Sequence, residues 1–329
     1  MVNGMIIVGG ENLVDLIQSE EGRDLSFQAK PGGSPFNCAM AIGRQGESVG
    51  YVTPISKDNL GKMLAETLET SGVELLAARR DEPSSLAVVS LKDGVPDYQF
   101  YRENTAERMV TFAGLTNATP ETVRVFYVGS LALTGGQDGD AWAEYYCALH
   151  AKGVFTALDP NIRPAFIHEQ SAYLERLERV LMQTDLLKLS DEDLSWFYPG
   201  ENVADAANEL MKRTSAKLMV VTLGAEGAFA LSNGNTVTIN SAPVENLRDT
   251  IGAGDTFMAT LLAHLSRNNA LKPDVLANMN RDDVEDMLRW VACAAALNCE
   301  KDGCNPPTLE ELEKTYSKEN VVGMDGVES

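Results

Sequence analysis

A run of small residues ends in an acid directly before a predicted helix. Residues 249–255 read Asp-Thr-Ile-Gly-Ala-Gly-Asp, and the apolar-rich segment 256–265 follows at once. Backbone N–H groups and the positive end of the helix dipole favour an anion there, and Gly and Ala let a ligand approach the backbone. Asp255 could then accept a proton from a group beside the bound anion. Taken alone, the motif would predict an Asp N-cap and no chemistry.

Other segments extend this pattern along the chain, and together they resemble the PfkB (ribokinase-like) family of sugar kinases. The family's second signature ends in DTxGAGD, as residues 249–255 do, and its first, GGxPxNxA, is similar to residues 32–39. Residues 159–163 (DPNIR), 188–193 (KLSDED) and 222–227 (TLGAEG) lie between them in the order of bacterial fructokinases. The resemblance implies an α/β fold of the ribokinase-like type, with a mostly parallel central sheet flanked by helices on both faces and a small β-sheet lid.

Phosphoryl transfer to a sugar hydroxyl requires alignment, charge neutralisation and removal of one proton. In this interpretation Asp255 is the general base. The backbone amides of Gly252, Ala253 and Gly254 face the charge that develops on the phosphoryl oxygens.

The predicted sugar-binding residues belong to the first signature, the lid and the central motifs. They are Asp15, Gly32, Gly33, Asn37, Tyr101, Arg102 and Arg163. The glycines allow close approach, Asn37 offers a donor and an acceptor, and Arg163 offers a planar fork of donors to substrate or phosphate. Asp15 matches the family's sugar-binding acid. The alternatives are a surface carboxylate for Asp15 and an Arg163–Asp159 ion pair.

The resemblance also assigns residues to the nucleotide and to cations. The predicted ATP-binding residues are Lys188, Ser190, Thr222, Gly224 and Gly227. Ser190 and Asp193 replace the Asn and Glu of the family's Asn-x-x-Glu pattern, and the shorter Asp193 could hold Mg²⁺ through water. A monovalent cation, K⁺, is implied beside Asp249 and Ile251. ATP and Mg²⁺ are therefore expected at the site, with K⁺ behind the anion-binding turn.

Composition limits the possible partners. A formal net charge of −21 opposes binding to nucleic acid or anionic membranes. Five cysteines without a CxxC pair, no basic start to the chain and no membrane-length apolar run predict a cytoplasmic protein with reduced thiols. There is no P-loop, and the scattered histidines do not have zinc-ligand spacing.

The central motifs must be positioned by strands that alternate with helices. Predicted strands lie at 154–158, 186–189 and 218–222. Asp159, Ser190 and Gly224 follow these strands almost at once. Because ligands bind outside the carboxyl ends of parallel strands, these motifs should converge on one crevice.

The boundaries of the kinase domain follow from the same pattern. We expect the domain to span 1–320, with the lid inserted from about 13–29 and 86–112. Hairpin turns are predicted at 92–94 in the lid and at 232–235 in the core. The lid strands would leave an exposed edge, so the resemblance implies a homodimer through the lids.

An ATP-dependent sugar kinase is the function that these motifs favour. Fructose is the preferred candidate substrate, because residues 98–108 resemble the lid segment of bacterial fructokinases. The alternative substrate is 2-keto-3-deoxygluconate, because its kinases carry a similar Tyr-Arg pair. A non-catalytic sugar-binding regulator would conflict with the intact motif at Asp255. A nicotinamide oxidoreductase would need a glycine fingerprint after the first strand, which is absent.

Overall fold

Strands of a large central sheet and of a small second sheet make up the β structure. The structure, a computed structural model, describes residues 4–18, 26–92 and 95–325. In chain order the strands of these residues are β1 (Met5–Gly9), β2 (Leu13–Gln18), β3 (Phe27–Gly32), β4 (Val49–Tyr51), β5 (Val73–Leu75), β6 (Ser85–Lys92), β7 (Val95–Tyr101), β8 (Val123–Gly129), β9 (Phe155–Asp159), β10 (Leu186–Ser190), β11 (Leu218–Thr222), β12 (Ala228–Ser232) and β13 (Asn235–Ile239).

Helices connect most of the strands of the central sheet. Within the same residues they are α1 (Ser34–Arg44), α2 (Asn59–Thr70), α3 (Phe112–Ala118), α4 (Gly136–Ala151), α5 (Gln170–Leu181), α6 (Asp191–Phe197), α7 (Val203–Met211), α8 (Ala253–Arg267), α9 (Pro273–Ala277), α10 (Arg281–Cys299) and α11 (Leu309–Asp325). None of these described helices combines the length and apolarity needed to cross a bilayer.

The central sheet has the strand order β13-β12-β11-β10-β9-β8-β1-β4-β5. Every neighbouring pair from β11 to β5 is parallel, and the β12–β13 hairpin adds an antiparallel edge. The prediction of a mostly parallel sheet is confirmed. Strands covered on both faces can be apolar throughout, as the run Leu218-Met219-Val220-Val221 in β11 is.

Each face of the sheet packs against its own group of helices. Side chains of α1, α2, α8 and α10 form one core with alternate residues of the strands, such as Val220. Side chains from α3 to α7 form the other core with the intervening residues, such as Val221. Alternation along each strand therefore sends neighbouring side chains into opposite cores.

The small sheet lies at the predicted lid and has the strand order β3-β2-β6-β7. β2 pairs with β3 and β6 with β7 in antiparallel fashion, while β2 and β6 are parallel. β3 continues to Gly32, past the predicted lid boundary at 29, and leads almost directly into α1. Residues 93 and 94 of the predicted turn, and residues 19–25 of the lid segment, lie outside the described residues.

Candidate active site

Asp255 lies at the third position of α8, and Gly252 occupies the N-cap. The left-handed backbone of Gly252 (φ 76°) suits glycine, and a Cβ there would collide with Cys304 Sγ. The interpretation of Asp255 as an N-cap is therefore wrong. Its carboxylate makes its hydrogen bonds to α1 instead of to its own helix.

Two side chains at the start of α1 hold the carboxylate of Asp255. Ser34 Oγ donates to Oδ1 at 2.7 Å, and Asn37 Nδ2 donates to Oδ2 at 2.8 Å. Burial raises the pKa of Asp255, and the bonds from Ser34 and Asn37 and the charge of Lys188 counter part of that rise. A carboxylate with a raised pKa is a stronger proton acceptor, as a general base requires. The two signature motifs thus meet at this side chain.

The turn at residues 250–254, which is predicted to bind an anion, carries free amides and a neighbouring cation. Ala253 N–H donates to Thr250 O at 3.2 Å, while those of Gly252 and Gly254 have no hydrogen-bond partner among the described residues. A Cβ on Gly254 would lie 3.3 Å from Lys188 Nζ, which places that ammonium against the turn. Partial and full positive charges therefore converge where a phosphoryl group would bind.

Lys188 is held there by a buried ion pair with Asp159, whose Oδ2 lies 2.8 Å from Nζ. Burial lowers the pKa of Lys188, but the surrounding carboxylates, Asp159 first, raise it by more, so the ammonium stays charged. The alternative ion pair between Arg163 and Asp159 is wrong. Arg163 is exposed, and its Nη1 donates to Ile162 O at 3.3 Å.

The predicted sugar-binding glycines adjoin Asp15 and Asn37. A Cβ on Gly32 would collide with Asp15 Oδ2, and one on Gly33 would lie 2.6 Å from Glu11 O. Gly33 is the N-cap of α1, which carries Asn37. Asp15 is only partly exposed, and burial raises its pKa to about 6. Gly32 thus adjoins Asp15, and Gly33 opens the helix whose Asn37 bonds Asp255.

The two lid residues do not take the predicted position. Tyr101 is 56 % exposed, and its hydroxyl contacts Gln99 on the same strand, because alternation along β7 turns Phe100 and not Tyr101 towards Phe166. Arg102 is buried and paired with Glu107, with Nε–Oε1 at 2.8 Å and Nη2–Oε2 at 3.2 Å. Its charge is therefore already compensated within the protein.

The Arg102–Glu107 pair predicts a measurable effect on stability. Arg102→Gln leaves a buried carboxylate without its cation, and we expect a loss of about 3 kcal/mol in the free energy of unfolding. Ser85 Oγ, 2.9 Å from Glu107 Oε1, would remain as its donor. Chemical denaturation measures the loss, and adding Glu107→Gln should recover much of it. Equal stability of Arg102→Gln and the wild type would contradict the role of the pair.

The remaining predicted nucleotide residues lie along the same carboxyl edge of the sheet. Ser190 is the N-cap of α6, Thr222 ends β11, and the exposed Gly224 opens the turn that follows. Gly227 has a φ of 107°, and a Cβ there would collide with Ile239 O. Ser190 and Thr222 are register partners in the β10–β11 pair, two residues beyond Lys188.

Asp193 has a structural partner at both carboxylate oxygens. Oδ2 accepts from Ser190 N at 2.8 Å in a capping box, and Oδ1 accepts from Ile162 N at 2.6 Å. It therefore ties α6 to the loop that carries Arg163. Asp159 Oδ1, by contrast, is buried without a hydrogen-bond partner among the described residues.

The oxygens predicted for K⁺ are likewise hydrogen-bonded. Asp249 accepts from Ile251 N and Gly303 N, both at 3.0 Å, and Ile251 O accepts from Asn298 Nδ2 at 2.8 Å. Among the described residues no cluster of three or more His, Cys, Asp or Glu could hold a metal alone. A divalent ion here would take most of its ligands from phosphate oxygens and water, as Mg²⁺ commonly does.

Comparisons with known proteins agree with this architecture. Residues 3–311 match the profile of the pfkB family carbohydrate kinases. A fructokinase of Rhizobium leguminosarum bv. trifolii is 37 % identical over 279 residues, 84 % of either chain. Two solved structures share the fold: a Xylella fastidiosa fructokinase with bound ATP (TM-score 0.86, 23 % identity, 96 % of this chain and 99 % of that one) and a double-mutant fructokinase from Vibrio cholerae O395 with fructose, ADP and a potassium ion bound (TM-score 0.77, 23 % identity, 94 % and 95 %).

Proposed function

The chain belongs to the pfkB family of carbohydrate kinases, and from this premise we propose that it is an ATP-dependent fructokinase that converts D-fructose to fructose 6-phosphate. The observation that carries the proposal is the position of Asp255. Its carboxylate bonds Ser34 and Asn37 at the start of α1, and it stands in the first turn of α8, where Lys188 adjoins Gly254.

This arrangement can perform an in-line phosphoryl transfer. Asp255 takes the proton of the sugar hydroxyl as that oxygen forms a bond to the γ-phosphorus and the bond to the β-phosphate oxygen breaks, releasing ADP. The amides of Gly252 and Gly254 and the ammonium of Lys188 face the charge on the phosphoryl oxygens. Arg163, whose positive charge lowers the pKa of Asp255, would assist at the same group. Bound Mg²⁺ would neutralise ATP charge, with Asp159 holding it through water.

The pairing of Arg102 supports a neutral sugar over a sugar acid. The carboxylate of 2-keto-3-deoxygluconate requires a charged, preferably bidentate partner. Glu107 is already paired with Arg102, so that guanidinium is not free to bind a substrate carboxylate. Fructose needs only hydroxyl hydrogen bonds, which Asp15 and Asn37 can make. The fructokinase relative at 37 % identity supports the same choice.

A coupled assay of ADP formation tests the proposal. D-Fructose should give a higher kcat/KM than 2-keto-3-deoxygluconate, and no ADP should accumulate without sugar. A preference for the acid would replace the proposed substrate within the same family. Sugar binding without ADP formation would favour the non-catalytic regulator.

Monovalent cations and self-association belong to the same proposal. We infer that K⁺ binds beside Asp249 and Ile251, as a potassium ion is bound in the Vibrio cholerae structure. Equal rates in potassium and in a bulky organic-cation buffer would contradict this. Homodimerisation through the lid is supported by the two edge strands of the small sheet, β3 and β7, which have no further strand beside them among the described residues. Light scattering that gives a monomer at assay concentration would exclude it. The free cysteines support a cytoplasmic location.

A further inference from the structure

Ser34 connects a buried glutamate to the carboxylate of Asp255. Its backbone N–H donates to Glu11 Oε1 at 3.1 Å, and its hydroxyl donates to Asp255 Oδ1 at 2.7 Å. Glu11 is only 2 % exposed, and its other oxygen accepts from Leu131 N at 3.1 Å. None of the family-like motif assignments gives a role to Glu11 or to the side chain of Ser34.

The two bonds of Glu11 join separate parts of the fold. Glu11 lies in the connection from β1 to the lid strand β2, and Leu131 lies in the turn after β8, the neighbour of β1 in the sheet. The carboxylate therefore fixes the N-terminus of α1 to the carboxyl edge of the central sheet. Ser34 is the first residue of α1. The two hydrogen bonds of Glu11 therefore hold the backbone of Ser34 in place, and its side chain starts from a fixed point opposite Asp255.

We propose that Ser34 is a positioning residue for the general base and that Glu11 acts through it. The inference rests on the proposed kinase function. Asp255 has two hydrogen-bond donors, one on each oxygen, and without Ser34 only Asn37 would set the rotation of the carboxylate. The lone pairs of the Asp255 carboxylate that accept no hydrogen bond would then no longer point to one fixed position of the sugar hydroxyl. The Ser34 hydroxyl also favours the ionised carboxylate, which is the form that accepts a proton.

A different role for Ser34 gives different kinetics. Its hydroxyl could merely occupy the place that the sugar hydroxyl takes in the complex. Removing a placeholder would lower KM for fructose and leave kcat unchanged. Removing a positioning residue would lower kcat with little change in KM, because the bond matters most in the transition state.

The experiment compares Ser34→Ala, Ser34→Cys and Ser34→Thr. We expect kcat to fall about tenfold or more in the Ala and Cys variants, as for loss of a hydrogen bond to a charged group. The acid limb of the kcat/KM profile should move to higher pH, and Thr should restore both values. Ser232→Ala is the matched control, since Ser232 Oγ bonds Lys217 O at the opposite end of the sheet. Unchanged kcat and pH profile in a folded Ala or Cys variant would overturn the proposal.

Glu11→Gln tests the second half of the inference. It should lower kcat in the wild-type background and add little in the Ser34→Ala background, because coupled residues are not additive. Glu11→Asp, too short to reach both amides, serves if the Gln variant does not fold. Full additivity would show that Glu11 acts independently of Ser34. A wild type that forms no ADP with any sugar would instead refute the proposed function.

Discussion

Asp255→Asn is expected to retain ATP and sugar binding while kcat falls by a factor of about 10²–10⁴. That loss equals about 3–5.5 kcal/mol of barrier. Asn keeps the size of the side chain but cannot accept the hydroxyl proton. The lost carboxylate is buried, and in the wild type Ser34 and Asn37 each donate a hydrogen bond to it.

The pH dependence should identify the same group. Burial raises the pKa of Asp255, so the wild-type rate should fall as pH drops through that raised pKa and the carboxyl becomes protonated. Asp255→Asn should lose this acid limb. Asp283→Asn is the matched control, because Asp283 holds the third position of α10, as Asp255 does in α8, but is exposed. More than half of the wild-type kcat in Asp255→Asn at neutral pH would refute the assignment.

Removal of magnesium with EDTA is expected to abolish activity, and excess Mg²⁺ should restore it. The crevice holds Asp159, Asp193 and Asp255 around the single ammonium of Lys188, and the chain has a net charge of −21. Unneutralised ATP would be repelled by these carboxylates, and its transferring phosphoryl group would lack a counter-ion. The coupled ADP assay measures both steps.

The control for magnesium removal is EDTA saturated with Mg²⁺ beforehand, which should leave the rate unchanged. Binding of a fluorescent ATP analogue with and without Mg²⁺ gives a readout that does not depend on turnover. Full activity in EDTA would rule out the proposed role of the ion.

Much of the fold could be predicted from local sequence. β11 has its predicted bounds, because a short apolar run with the β-branched residues Val220, Val221 and Thr222 suits a strand buried on both faces. Thr308 and Glu311 form the capping box that their spacing predicts. α10 was not predicted: its second half, rich in Ala and Cys, is buried against α8 and the neighbouring elements, so it has no polar face to give a clear helical period.

Site residues could be predicted from the sequence where they belong to a local motif. Their partners in hydrogen bonds and ion pairs could not, where those partners lie far away along the chain. The spacing of residues 249–255 indicates Asp255, but nothing in it indicates Ser34, which is 221 positions away. Likewise the sequence does not reveal that Glu107 forms an ion pair with Arg102 and compensates its charge. Ser190-x-x-Asp193 could have been recognised as a capping box, since that spacing has a local cause.

The connectivity of the lid has a consequence for the order of folding. Leu13 of β2 pairs with Ser85 of β6, and the whole of α1, β4, α2 and β5 lies between them. Closing such a long loop has a large entropic cost. Contacts offset that cost only once the intervening elements have packed on the central sheet. We therefore expect the lid to assemble late, and its backbone amides should exchange with solvent deuterium faster than those of β1 or β8.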